Sequence, residues 1–202
     1  MKWLQVMLCM LLPVWASAAT SESVFQQRLT QMSALPGFSC AFEQTLYFFD
    51  GGEQVYQGQL DVLRPGRFRW HYAQPYEQLY VSNGEVIWHY EPDLLQAERL
   101  QDLSAVDPVV MRLLDGQLSA EQIQVLDSTA NRVWHIRITD GPELWLALRE
   151  NGEIDWLEST DMVGNRNRLR FTDWQLHSPQ AKIFEFSAPE GVDVIELSGQ
   201  VE

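Results

Sequence analysis

VLRPGRFRWHYAQP, residues 62–75, holds the end of one strand, a corner, and the whole of the next strand. The Pro65-Gly66 order suits the two central positions of a type II turn, where glycine takes the positive φ without steric cost. Beyond it Phe68, Trp70 and Tyr72 alternate with Arg67, Arg69 and His71. That period of two is a β-strand with one wide apolar face and one basic face.

The same alternation extends in both directions. Upstream, Phe38, Cys40, Phe42, Leu46 and Phe48 share a face, Asp50-Gly51-Gly52 marks a hairpin, and Val55 to Val62 returns. Downstream, Leu79 to Ser82 precedes an Asn83-Gly84 turn, and Val86, Trp88 and Tyr90 alternate with Glu85, Ile87 and His89. Further strands are expected at 133–138, 144–148, 154–158, 166–174 and 184–186. Three helices are expected among them. The first carries a stripe of Val24, Phe25, Leu29, Met32 and Leu35, with Ser23 as its capping residue and Pro36-Gly37 as its stop. The second starts at Asp107-Pro108 and is closed by Gly116, and the third opens on the capping box Ser119 to Gln122. About ten antiparallel strands with three helices exclude a doubly wound fold. The expected architecture is mainly β with helices (α+β), a single curved sheet forming an incomplete antiparallel β-barrel. A lid of about three α-helices covers its hydrophobic cavity.

Lys2, an apolar run from Trp3 to about Val14, and Ala16-Ser17-Ala18 read as a signal peptide over residues 1–18, with cleavage after Ala18 or Ala19. Residues 19–202 are then one exported domain. Cys9 leaves with the leader and lacks the small residues of a lipoprotein cleavage box, so Cys40 stands alone without a disulfide. Export without disulfides points to a bacterial periplasm. Removing the leader takes away Lys2 and no acid, leaving 13 lysines and arginines against 28 acids, a charge of −15. Such a chain is unsuited to nucleic acid and to anionic membrane surfaces.

No chemistry assembles from the motifs. His71, His89, His135 and His177 lack second ligands at metal spacing, and neither a phosphate loop nor a nucleophile elbow is present. The residues call for no enzyme, catalytic group, metal or cofactor. Arg166, Arg168 and Arg170 alternate like Arg67 and Arg69. Either these arginines pair across strands with the many acids, or they form a docking surface for an acidic partner. Likewise Phe68, Trp70, Tyr72, Trp88 and Tyr90 either pack a core against the helices or line a cavity under them.

In order and spacing, Phe42-Glu43-Gln44, Gly58 to Trp70, Val81-Ser82-Asn83-Gly84, Trp88-His89-Tyr90, Phe184-Glu185-Phe186 and Gly191-Val192 resemble the periplasmic lipoprotein carrier family, LolA. The resemblance implies a carrier that binds the acyl chains of lipoproteins released from the inner membrane. The cargo comes from an inner-membrane ABC-type release complex and goes to an outer-membrane receptor lipoprotein (LolB), with no reaction and no cofactor. The family's cavity aromatics fall on Phe68 and Trp70, and the acyl cavity is expected from Phe42, Leu60, Val62, Phe68, Trp70, Tyr72, Trp88 and Tyr90. Its gating arginine, which bonds to the lid, falls on Arg64; a plain β-turn does not require arginine there. The chain is expected to be a monomer. A carrier of another lipid or glycolipid and a lipoprotein-sensing regulator on the same fold are the alternatives.

Overall fold

The computed structural model describes residues 20–101, 108–139 and 141–196. The leader, Cys9 and Asp107 lie outside them. One twelve-stranded sheet runs in the spatial order β12-β6-β5-β4-β3-β2-β1-β11-β10-β9-β8-β7. Its members are β1 Gly37–Tyr47, β2 Glu53–Leu63, β3 Arg67–Gln74, β4 Gln78–Asn83, β5 Ile87–Glu91, β6 Gln96–Leu100, β7 Ile123–Thr129, β8 Val133–Ile138, β9 Glu143–Leu148, β10 Ile154–Thr160, β11 Arg166–Gln175 and β12 Asp193–Glu196. All ladders are antiparallel hairpins except β1 with β11, which closes the middle of the sheet across the chain, and β12, which runs parallel to β6. The two ends of this open, curved sheet do not pair. No helix among the described residues is long and apolar enough to cross a membrane.

Two helices cover the inner face. In α1, Ser21–Ser33, the cap is Thr20, whose side chain accepts the Ser23 N–H at 3.2 Å, and Ser23 lies inside the first turn. The expected stripe buries Phe25, Leu29 and Met32. In α2, Pro108–Leu114, the buried side is Val110, Met111, Leu113 and Leu114. These residues form one cluster with Phe38, Cys40, Phe42, Leu60, Val62, Phe68 and Trp70 on one side, and Trp134, Ile136, Leu146, Leu157, Leu169 and Phe171 on the other. The third expected helix shrinks to a single 3-10 turn, Ala120–Gln122, carrying the capping box, because β7 begins at the next residue.

The C-terminal part corrects the sequence reading. Residues 184–186 form no strand. Ala181–Phe184 is a 3-10 turn from which the extended chain crosses the outer face of β3 to β6. Phe184 is buried there with Val81 and Ala97, and Phe186 packs on Trp88 and Tyr90 at ring separations of 5.5 and 5.4 Å. This smaller core places the large rings Trp88 and Tyr90 on the outer face of β5, so ring size and alternation alone could not set its phase.

Candidate functional site

Strand register decides which expected residues share the inner face. Leu60 lies opposite Trp70 and Val62 opposite Phe68, and across the next ladder Trp70 meets Tyr80 and Phe68 meets Ser82. Ser82 pairs with Ile87 and Tyr80 with His89, so Ile87 and His89 face inward. Trp88 and Tyr90 therefore lie on the outer face, contrary to their expected place in the cavity, since a one-residue change of phase turns every side chain over. Phe42, Leu60, Val62, Phe68 and Trp70 are buried on the inner face. Tyr72 is half-buried there, edge-on to Phe42 at 4.9 Å.

Toward the end of the sheet away from the helices' C-termini, the inner face changes character. Tyr56, Tyr72, Tyr80 and His89 form a continuous aromatic row of half-buried rings. Gln44 serves that row: its carbonyl accepts the Tyr72 hydroxyl at 2.9 Å and its amide donates to Asn167 at 2.9 Å. Burial, with the neighbouring Tyr80 and Tyr56 hydroxyls, raises the Tyr72 hydroxyl well above its ordinary pKa. It remains a neutral donor.

Arg64 occupies the corner between β2 and β3 and reaches under both helices. Its Nη1 donates to the carbonyls of Met32 and Leu35, each at 2.6 Å, and Nε and Nη2 both donate to the Leu114 carbonyl, at 3.1 and 2.6 Å. These are carbonyls at the C-terminal ends of α1 and α2, where helices leave acceptors unpaired and their dipoles are negative. Asp115 ties α2 to the same corner by accepting the Gly66 N–H at 3.0 Å. Burial pulls the guanidinium below its ordinary pKa, and the Asp115 carboxylate works the other way. Arginine remains charged through such a shift. A Cβ on Gly116 would lie 3.1 Å from the Arg64 Cζ, a tight approach, and Gly116 has a φ of +72°, so glycine suits the helix end that closes on the guanidinium. The Arg64-Pro65 peptide is cis, and Gly66 has a φ of +71°, as the third position of the expected turn requires.

At the same end of the sheet but across it, Arg28 donates from α1 to the Leu148 carbonyl at 2.9 Å and covers the Trp134 ring. The β9–β10 turn approaches α1 so closely that a Cβ on Gly152 would fall 2.8 Å from the Arg28 carbonyl oxygen. With the helices so held, the space left between α2 and β2 to β5 is about 190 Å³, bounded by Val62, Phe68, Ile87, Met111 and Asp115. At ~30 Å³ per water-sized group, that volume is too small for a long acyl chain.

Arg67, Arg69, Arg166, Arg168 and Arg170 point to the outer face. Arg166 and Arg168 both pair with the buried Glu158, at 3.4 and 3.1 Å, and lie over the Tyr47 and Trp156 rings. Arg69 sits opposite Asp61, and Arg170 opposite Glu43. Sequence reasoning missed Gln44 as a hub of the aromatic row, although the residue is part of the quoted motif. The resemblance placed a lid-bonding arginine at Arg64, but which carbonyls it holds, those of Met32, Leu35 and Leu114, had no signal in the sequence.

The family model described as outer membrane lipoprotein carrier protein LolA matches residues 33–187. An outer-membrane lipoprotein carrier protein of Azotobacter vinelandii is 32% identical over 213 aligned residues, covering 97% of this chain and 100% of that protein. One from Pseudomonas aeruginosa is 32% identical, covering 89% and 91%. Among solved structures, a LolA superfamily protein from Nitrosomonas europaea is similar with a TM-score of 0.47 and 16% identity, over 84% of this chain and 99% of that one.

Proposed function

Because the chain belongs to the outer membrane lipoprotein carrier protein (LolA) family, we propose that it is a periplasmic carrier holding lipoprotein acyl chains on the inner face of its sheet, beneath α1 and α2. The observation that carries this reading is Arg64, whose four hydrogen bonds fasten both helices over an apolar surface. Acyl chains entering the site displace the helices' own apolar side chains from Phe42, Leu60, Val62, Phe68 and Trp70 and break those bonds. Each methylene moved out of water contributes about 0.8 kcal/mol, and each charge-assisted hydrogen bond about 1.5–3 kcal/mol. About 8–15 methylenes therefore offset the four bonds, and a whole anchor does so readily. Re-forming the latch in turn weakens the hold on cargo, which makes release feasible. The indole N–H groups of Trp70 and Trp174 are buried without a partner; they can donate to the ester and amide carbonyls of an acylated cysteine.

In this reading residues 1–18 are a signal peptide, and the mature chain from Ala19 is a single monomeric domain. Cargo is taken from an inner-membrane ABC-type release complex and passed to an outer-membrane receptor lipoprotein (LolB). The test is incubation of the mature protein with inner-membrane vesicles containing palmitate-labelled lipoproteins. Labelled lipoprotein should appear in the soluble fraction bound to the carrier at one to one. Co-purification of a free lipid or glycolipid, with no lipoprotein solubilised, would replace this reading by that of another lipid's carrier.

A further inference from the structure

Ten large hydrophobic side chains are exposed among the described residues, and seven of them sit in four turns. Phe48 and Phe49 lie between β1 and β2, Tyr76 between β3 and β4, Leu94 and Leu95 between β5 and β6, and Met162 and Val163 between β10 and β11. The ladders put these four turns at one end of the sheet, opposite the Arg64 corner, because Tyr47 pairs with Arg166, Gln57 with Gln74, and Leu79 with Tyr90. With two strands per step and ~4.8 Å between strands, the turns form a row about 30 Å long. That is the width of the ~800 Å² patch each partner contributes to a standard protein interface.

The row is held in place rather than loose. Asn165 accepts the Phe49 N–H at 3.0 Å, which joins two of the turns. Asp161 accepts the N–H groups of Val163 and Asn165, both at 2.9 Å, and the Asn165 amide at 2.7 Å. Met162 is thereby displayed at 104% exposure. Each turn also sets a carboxylate beside its apolar group and contains no lysine or arginine: Asp50 follows Phe49, Glu77 follows Tyr76, Asp93 precedes Leu94 and Asp161 precedes Met162. The Asn165 hydrogen bond holds the Asp161 carboxyl below its ordinary range, which keeps it charged.

That charge pattern selects the occupant. An anionic lipid surface would repel four carboxylates in a row, and a wholly apolar surface would strip them of water. We propose that this end of the barrel is a docking surface for a partner protein presenting an apolar pocket rimmed by lysines or arginines, engaged while cargo changes hands. The proposal rests on the carrier reading. It adds the surface and the chemistry of the recipient.

The test compares cargo transfer from the loaded mature chain to outer-membrane vesicles and to protein-free liposomes of phosphatidylethanolamine and phosphatidylglycerol. The variants are Phe49→Ser with Met162→Ser, Asp50→Lys with Asp93→Lys, and Leu176→Ser, an exposed position away from the row. Loading and melting temperature should match the parent in all three. Transfer to outer-membrane vesicles should slow at least tenfold in both double variants and stay unchanged in Leu176→Ser. Transfer by the parent should also slow with added salt, and a benzophenone at position 49 should crosslink to a lysine- or arginine-bearing peptide of the acceptor. Transfer within twofold of the parent by both double variants would overturn the docking surface while leaving the carrier reading intact. So would equal row-dependent transfer to protein-free liposomes. A parent chain that loads no lipoprotein would remove both.

Discussion

Replacing Arg64 by leucine removes four hydrogen bonds from three carbonyls at the ends of the two covering helices. At about 1.5–3 kcal/mol for a bond to a charged group the sum is large. Two of the bonds share Leu114, however, and water can re-solvate carbonyls at a helix end. A net loss of about 3 kcal/mol from the closed arrangement is the reasonable figure, which shifts the balance toward an open lid on the order of 100-fold. Two assays read this shift. Cargo should load onto Arg64→Leu but leave for an acceptor membrane far more slowly than from the parent, because closing no longer competes with the acyl chains. In the empty protein, Cys40 is a built-in reporter: it is 1% exposed on the inner face, and burial, with help from the Asp61 and Glu153 charges, pushes its thiol up in pKa. Reaction with a disulfide reagent therefore requires opening, and should accelerate by a similar factor in Arg64→Leu. Arg64→Lys should fall between, since one ammonium cannot span three carbonyls. Labelling and release rates both within threefold of the parent would refute the latch.

The two faces of the sheet give a second contrast. Phe68→Glu, which sets a carboxylate at a position 4% exposed beneath the lid, should abolish loading. Trp88→Glu on the outer face should load normally while lowering the melting temperature through its contact with Phe186; equal loading by the two would sink the assignment of faces. Gly152→Ala combines a φ of +88° with a Cβ only 2.8 Å from the Arg28 carbonyl. It should cost about 2 kcal/mol or more, a fall of roughly 4–8 °C in melting temperature by calorimetry, and an unchanged value would show that α1 does not depend on that approach. Burial raises the Asp155 carboxyl, but hydrogen bonds and charge from Arg132 and Arg149 outweigh it and leave it below its ordinary range. Because its folded pKa is depressed, its stabilisation is complete above about pH 4 and is lost as pH falls through the folded value. Asp155→Asn should thus flatten the decline of melting temperature on the acid side, below about pH 4. An acid limb identical to the parent's would place its origin elsewhere.

Most of the sheet was legible because its strands have one covered face, so alternation encodes them. Phe38 to Phe42, Leu60 to Val62 and Phe68 to Trp70 lie where the pattern puts them. The failures around β5 and residues 184–186 share one physical cause. Where the C-terminal segment covers the outer face, Trp88, Tyr90, Val81 and Ala97 are screened from water as the inner residues are, and the two phases of β5 read alike. For the same reason Phe184 and Phe186 imitate a strand while lying across one. β6, β7 and β12 escaped notice because short strands such as QAERL and DVIE have too few apolar residues to show a period. Arg64 stood out as an arginine the turn did not need and, through the resemblance, as a lid-bonding one, but its partners were not legible. Its partners are backbone carbonyls from two helices distant in sequence, and a carbonyl leaves no mark on residue identity.

The parallel pairing of β12 with β6 bears on self-association. An open sheet ends in a row of unpaired N–H and C=O groups, a template on which a second copy can add its own strand. Here the edge that β6 would present is already taken by Asp193–Glu196 of the same chain. The replacement edge is four residues long and carries an acid at each end, so two molecules meeting there repel. A protein whose proposed task is to keep other molecules' apolar groups from aggregating thus covers one edge of its own sheet with a short acidic strand, Asp193–Glu196.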